Sequence, residues 1–460
     1  MESIVSFVRD FINSIPSQAL TESIGLMLCG PAYMLVYRTI CALTHGNDKK
    51  FSAGPLDWIL NYACTILPFI ITFSYLAYLR YYIILLGLEL ATFFMALNPA
   101  IRKTEDPIPR EWCELDRLND KRKNFIKNIR ENLVVATCVA ILAVDFPAYF
   151  PVRLSKSSVY GASIMDFGVS SFVFMNGITT SKGEMPNLKR IKNSLKSSLK
   201  TIIMIACFGI QRLIYFSIIG FDRVSVKEYG VHWNFYFTLC VLITLGCIIQ
   251  LPPVASFLLG FVVLLVYQYS LTLLNLGEFI VSAPRTNLFS KNREGILSCI
   301  SFFSMICVLR IVAQIFRKPR SKTGWWLVAL TIFSITLGSW MLGFFFESRL
   351  NILSSRRMCN VPYILYTITL CMFVLFFHLV IDLILPVYRT PLTDAITTSN
   401  TNQLIFFVLA NLFTGITNLL IDTSKKTFNQ ALFIMICYTS LLSVSIFTYQ
   451  FFYDKKSSKV

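Results

Sequence analysis

The chain of 460 residues is 55% hydrophobic and only 15% charged, and its Lys and Arg outnumber Asp and Glu to give a formal net charge of +17. That much apolar side chain cannot be covered inside a soluble globule of ordinary proportions, so the chain belongs in a membrane. The basic residues are spread over short connections rather than gathered into one domain; anionic headgroups and membrane topology account for them before nucleic acid does, and no nucleic-acid partner is expected.

The chain opens with MESIVSFVRDFINSIP. No basic stretch precedes an apolar core there, so residues 1–19 read as an amphipathic leader lying at the interface rather than as a cleavable signal. A membrane-crossing helix needs about 20 predominantly apolar residues. Thirteen segments supply them: residues 20–44, 56–76, 79–96, 131–150, 163–181, 201–220, 231–251, 254–275, 295–316, 325–346, 361–387, 402–421 and 430–452, leaving 453–460 as a tail. The expected fold is therefore an all-α polytopic membrane protein, one bundle of about thirteen transmembrane helices. Without an internal repeat or a Gly/Ser linker, residues 1–460 are expected to form a single integral-membrane domain. Thirteen cysteines lie scattered, mostly inside apolar runs and without a CxxC pair, so neither a metal site nor a disulfide framework is expected.

An odd number of spans puts the termini on opposite sides. Connections on the C-terminal side hold 25 Lys and Arg against 13 on the other side. The richest are RKTEDPIPREWCELDRLNDKRKNFIKNIR, before the fourth span, and SKGEMPNLKRIKNSLKSSLK, before the sixth. The positive-inside rule then predicts a cytosolic C-terminus and a lumenal or exterior N-terminus.

Polar and aromatic motifs gather on the opposite, even-numbered side: Asp145 to Lys156, SIMDFG at 163–168, KEYGVHWN at 227–234, SKNREG at 290–295 and SSRRMCN at 354–360. These five segments are expected to converge on one surface. Asp145 ends an apolar run, and an ionised carboxylate at a membrane boundary either finds a basic partner or protonates. Pro147 and Pro151 turn the chain so that Lys156 can come back toward it. The two form either a structural ion pair or a general base with an ammonium beside it, an arrangement suited to acyl transfer. Asp166 opens the fifth span as a cap, and the small residues after it allow a helix or an acyl chain to approach; Gly168, Val169 and Phe172 are the expected groove wall.

His232 and Trp233 start the seventh span, the histidine being either an interfacial hydrogen-bonding residue or a base near neutral pH. Asn292 reads as the cap of the ninth span, with Glu294 in its first turn. Arg293, Arg356 and Arg357 are not explained by capping; they are candidates for gripping a lipid phosphate or, equally, headgroup anchors. Arg212, Arg310 and Glu89 lie within apolar runs, with no pairing legible. Walker A, HExxH, GxSxG and CxxCH patterns are absent, which weakens hydrolase and nucleotide-driven pump readings.

ILAVDFP at 141–147, YGASIMDFGVSSFVF at 160–174, EYGVHWNF at 228–235, NREGI at 292–296, RRMCNVPYILY at 356–366 and FVLANLFTGITNL at 407–419 together resemble the GPI-anchored wall transfer protein family, the inositol acyltransferases of GPI-anchor synthesis. The similarity runs in order from about residue 131 to 450, while the N-terminal third matches mainly by hydropathy. The resemblance implies an endoplasmic reticulum enzyme with thirteen spans and a lumenal N-terminus. Such an enzyme moves a fatty acyl group, usually palmitoyl, from acyl-CoA to the inositol ring of glucosaminyl-phosphatidylinositol. Acyl-CoA is a co-substrate, no cofactor is implied, and membrane lipids are the remaining partners. The family's catalytic aspartate and lysine fall on Asp145 and Lys156. Relatives read a pattern like DFPxFPRRFxK where this chain reads DFPAYFPVRLSKSS, with one residue more and one arginine fewer. The competing class is a lipid transporter or flippase, which would build its site at the membrane midplane from repeated halves.

Overall fold

The computed structural model describes residues 18–45, 55–97, 118, 123–179, 187–219, 226–385, 390–397 and 399–457. The expected interfacial leader lies outside them, apart from its last two residues, and so does most of the basic segment before the fourth predicted span. Every one of the thirteen predicted apolar segments contains a helix. Among the described residues, ten helices are long and apolar enough to cross a membrane, which makes this a multi-pass membrane protein. The count of thirteen is not reached for identifiable reasons. Asn124–Ala143 has the length but carries Lys, Arg and Glu in its first half. Phe167–Thr179 and Phe235–Ile248 have 13 and 14 residues; at 1.5 Å per residue they run about 20 Å, against a hydrocarbon core of about 30 Å.

We number the helices used below in chain order. They are α1 (Gln18–His45), α2 (Pro55–Thr65), α3 (Leu67–Thr72), α4 (Arg80–Leu97), α5 (Asn124–Ala143), α6 (Phe167–Thr179), α7 (Leu188–Ile219), α8 (Val226–Tyr229) and α9 (Phe235–Ile248). There follow α10 (Pro253–Leu273), α11 (Leu276–Ser282), α12 (Leu288–Lys291), α13 (Arg293–Ile315), α14 (Lys322–Ser348), α15 (Val361–Ile384), α16 (Pro391–Thr397), α17 (Asn400–Leu420) and α18 (Phe428–Ser457). Two expected boundaries are corrected. The basic stretch before the sixth predicted span is not a loop beyond Asn187: residues 188–200 are the first half of the 32-residue α7. The tail expected at 453–460 is helical as far as Ser457.

Helices α1, α5, α6, α13 and α15 form the interior, their side chains buried over most of their length. Helices α4, α7 and α17 sit outside them and keep apolar side chains exposed, as lipid-facing helices must. Close approach depends on small residues at contacts. A Cβ on Gly177 of α6 would fall 2.9 Å from Leu309 of α13, and one on Gly260 of α10 would fall 2.7 Å from the Ser304 carbonyl of the same helix. Aromatic pairs fill the remaining depth: Phe167 stacks on Tyr363 with ring planes 3° apart, and Phe125 meets both Phe316 and Trp325 edge-on.

One end of α1, α5 and α15 is joined by buried polar side chains. Arg38 of α1 and Asp382 of α15 form an ion pair at 2.6 Å with side chains 1% and 0% exposed. One turn before Asp382, His378 meets Asn132 of α5 across 3.4 Å, and Asn132 donates to the Met27 carbonyl of α1. A Cβ on Gly30 would lie 2.3 Å from the Asn132 amide, so α1 and α5 touch there without a gap. Beside this cluster Glu131 accepts from Thr393 of α16, and Asn61 of α2 accepts from the Leu392 N–H. Charges in such surroundings are tolerable only as pairs. Arg38→Leu, which strands Asp382, should destabilise the protein by about 3–5 kcal/mol, whereas Arg38→Leu with Asp382→Leu should recover most of that loss; thermal unfolding in detergent compares the two.

Candidate functional site

The expected convergence of five segments is observed at the other end of the bundle, and its construction starts from Asp166. This carboxylate, immediately before α6, is fully buried. It accepts the Ser157 and Ser163 N–H groups at 3.1 and 3.0 Å and the Ser163 hydroxyl at 3.1 Å. It therefore organises the segment 155–163 as well as standing at a helix start. The Tyr363 hydroxyl of α15 donates to the Asp166 carbonyl at 2.7 Å and to Ser170 at 3.0 Å, tying α6 to α15. Gly161, at φ +113°, donates its N–H to the Ser354 carbonyl at 2.8 Å, and the Ser355 hydroxyl reaches the Val159 carbonyl. The positive φ suits glycine at this crossing. Through these bonds the loop carrying Lys156 is fastened to the loop carrying Arg356.

The third segment closes over both. Lys156 Nζ donates to Glu228 Oε1 at 2.6 Å, and Arg356 stands 3.6 Å from the other carboxylate oxygen of Glu228. The Arg356 guanidinium also lies over the Tyr229 ring, 5.4 Å from its centre. Burial works against the charge of Glu228, yet Lys156 and Arg356 outweigh it and hold the carboxyl below its ordinary range. Burial likewise pushes the Tyr229 phenol up to about 12. At neutral pH the group is thus a carboxylate between two cations, beside a neutral phenol.

These residues form part of the wall of a cavity of about 210 Å³. Met27, Leu133, Ala136, Ala140 and Leu370 supply apolar wall from α1, α5 and α15, and Phe407 and Asn411 contribute from α17. Gly168, Val169, Ser171 and Phe172 of α6 line it too. A Cβ on Gly168 would meet nothing closer than Thr137 at 4.0 Å, so this glycine leaves space rather than permitting helix contact. Lys156, Arg212, Glu228, Tyr229 and Arg356 bring the charged and hydroxylated groups to the same space.

The pairing expected between Asp145 and Lys156 is not what the structure contains. Asp145 follows the end of α5, half-buried, and accepts from Asn418 Nδ2 of α17 at 2.8 Å. The Lys156 charge still acts on it, but the ammonium's ion pair goes to Glu228, 72 positions along the chain. Asp145 itself is not among the residues lining the cavity, whereas Ala140 and Ile141, a turn earlier, are.

The sequence-predicted residues of the ninth-span region have other work. The Asn292 side chain does not cap α13; it accepts the His232 and Trp233 N–H groups at 2.8 and 2.9 Å and donates to the Leu288 carbonyl. His232 and Trp233 are consequently held against the start of α13, where Trp233 packs on Gly295, at which a Cβ would lie only 2.2 Å away. Arg293 is 1% exposed and donates to the Ile280 and Ala283 carbonyls, and Arg357 donates to Ile280, Val281 and Glu294. With their donors engaged by the protein and neither residue in the cavity wall, Arg293 and Arg357 brace α11 against α13, and of the three arginines only Arg356 reaches the cavity. Glu228 and Asn418 were the residues that sequence reasoning missed. Both stood inside quoted motifs, KEYGVHWN and FVLANLFTGITNL, but their partners lie 72 and 273 positions away.

Because Asp166 accepts two backbone N–H groups, its removal strands the buried Ser163 N–H and frees the half-buried Ser157 N–H, while the Ser163 hydroxyl keeps its bond to the Ser155 carbonyl. Asp166→Ala should cost about 1–3 kcal/mol for the stranded group, and it should speed amide hydrogen exchange across residues 155–163 while leaving α13 and α14 protected.

Comparison with known proteins identifies the family. The family model described as GWT1 matches residues 8–449. The phosphatidylinositol-glycan biosynthesis class W protein of Dictyostelium discoideum is 28% identical, over 95% of this chain and 96% of that protein. GPI-anchored wall transfer protein 1 of Yarrowia lipolytica is 32% identical over 72% of this chain and 73% of its own length, and the protein of that name in Candida albicans is 30% identical over 85% and 88%. With the match running through nearly the whole chain, the protein belongs to the GWT1 family.

Proposed function

We propose that this protein is an acyltransferase of GPI-anchor biosynthesis, residing in the endoplasmic reticulum membrane and moving a fatty acyl group, palmitoyl in the first instance, from acyl-CoA to the inositol ring of glucosaminyl-phosphatidylinositol. The names of its relatives supply the pathway. The observation that carries the chemistry is a largely apolar cavity of about 210 Å³ whose wall includes Lys156, an ammonium paired with Glu228, while its charge also acts on Asp145, a carboxylate just past the end of α5 that among the described residues accepts from Asn418 and forms no ion pair. The apolar wall of α5, α6 and α15 suits an acyl chain, and the polar part of the wall suits a reacting carbonyl and a hydroxylated headgroup.

In this reading the orientation is that of the charge count, with the site end of the bundle lumenal and the CoA nucleotide at the cytosolic rim. Asp145 accepts the proton of an inositol hydroxyl. Its Asn418 hydrogen bond orients the carboxylate and leaves acceptor sites open for that proton. The inositol oxygen bonds to the thioester carbonyl carbon, negative charge gathers on the carbonyl oxygen, and Lys156 faces that charge. The C–S bond then breaks, the CoA thiolate leaves with its electron pair, and the proton held by Asp145 can pass to it. No covalent enzyme intermediate is required. Glu228 is the poorer base, since two cations stabilise its charged form.

Positioned acid–base catalysis contributes about 10²–10⁴ in rate, so Asp145→Asn should lose that much acyl transfer from labelled acyl-CoA while retaining its unfolding temperature. Near wild-type transfer by the folded variant would reject the assignment. The same assay on wild-type protein separates this reading from a lipid transporter or flippase, for which lipid would change leaflet with no ester formed. A second expectation concerns the groove. Gly168→Leu fills open space, so the variant should fold and should favour acyl chains several carbons shorter, each methylene excluded removing about 0.8 kcal/mol of burial; competition between acyl-CoAs of different length reads this directly.

A further inference from the structure

We propose that Glu228 is a positioning residue for the acyl transfer, acting through Lys156: it fixes the ammonium in the cavity wall, and Arg356 on its other oxygen keeps it from turning away. The inference rests on the reading of Lys156 as the group that faces the thioester carbonyl.

Three observations lead to it. The backbone at residues 155–163 is fastened by Asp166 and by the Gly161 contact to Ser354, but these bonds fix the loop and not the four-carbon stem of Lys156. That stem is rich in rotamers, and the side chain is 38% exposed, so it could swing out of the wall. The ion pair at 2.6 Å to Glu228 opposes that swing. Glu228 is fixed in turn: it belongs to α8, its second oxygen faces Arg356 at 3.6 Å, and Arg356 lies against Tyr229. The charges around Lys156 are therefore arranged on three separate segments, Glu228 on α8, Arg356 before α15 and Asp145 after α5, with Arg212 of α7 also in the cavity wall.

In the reaction Glu228 takes no proton and makes no bond to substrate. The proton of the hydroxyl goes to Asp145 and then to the departing thiolate, and the electrons of the C–S bond leave with sulfur. What Glu228 contributes is the location of a positive charge at the moment the carbonyl oxygen becomes negative, a contribution realised in the transition state rather than in binding. Its loss should appear in kcat and leave KM for acyl-CoA nearly unchanged.

The test is a double-mutant cycle on Glu228→Gln and Lys156→Met with purified protein, labelled palmitoyl-CoA and glucosaminyl-phosphatidylinositol. A charge-assisted hydrogen bond of this kind corresponds to about a 10- to 100-fold effect, so Glu228→Gln should lower kcat by that factor and Glu228→Asp should recover part of it. In the Lys156→Met background Glu228→Gln should cost nothing further. Full additivity, or a loss confined to KM, would overturn the proposal. A second measurement does not depend on activity: labelling of Lys156 by an amine-selective reagent, read by mass spectrometry, should be several-fold faster in Glu228→Gln than in wild type, and an unchanged rate would overturn the proposal even if no ester were formed. Ester formation by wild type with an additive cycle rejects the role of Glu228 alone; absence of ester from folded wild type with the labelling change intact rejects acyl transfer alone.

Discussion

Two carboxylates withdrawn from water at one end of the bundle, Asp166 and Glu228, determine how that end is built. A buried carboxylate has to be met by donors or surrender its charge, and the donors these two find come from different parts of the chain. Asp166 gathers the N–H groups of its own preceding loop, and Glu228 gathers the cations of two loops that are 200 positions apart. Each bond satisfies a local need for charge compensation; together they close the α5–α6, α7–α9 and α14–α15 connections over a single, largely apolar space. The cavity is in this sense a by-product of electrostatic compensation among segments that apolar packing alone would leave as independent turns.

The two polar regions of the bundle solve the same problem in different ways. Arg38, Asp382, His378 and Asn132 are pressed together where α1 meets α5 without a gap, which is the geometry of a fixed joint. Lys156, Glu228 and Arg356 meet around open volume instead. A charged cluster beside a space has side-chain atoms that a second molecule can reach, and one without space does not. Residue types alone would not separate the two, since both contain a basic and an acidic partner inside the membrane protein's interior.

Hydropathy made the helices legible, because each apolar run had to become a helix to satisfy its backbone. It did not make their lengths legible. The runs containing α6 and α9 looked as long as the others because the residues flanking each helix are themselves apolar or small, and turns such as that at 163–166 are formed by side-chain bonds from Asp166 that no periodicity encodes. At the site, the gathering of even-side motifs on one surface could be read from their density. Their pairing could not. Proximity along the chain favoured Asp145 with Lys156, but the tight winding of 152–163 turns the lysine toward α8, and Asn418 takes the aspartate. Asn292 looked like a cap from its position and proved to be a clasp for the neighbouring strand of chain at 231–233. In each case the competing partner came from a distant segment, where sequence spacing carries no information.

The shortness of α6 has a consequence for chemistry. At about 20 Å, α6 is shorter than a hydrocarbon core of about 30 Å, and the turn that precedes it, held by Asp166, brings Ile164 and Met165 into the cavity wall together with Phe167 and Gly168. On the proposed function, a thioester lodged there would lie among apolar side chains of α1, α5 and α6 rather than in bulk solvent. Activated esters hydrolyse when water competes with the intended acceptor, so such a lining would spare the acyl donor of the proposed reaction from wasteful turnover between encounters with lipid.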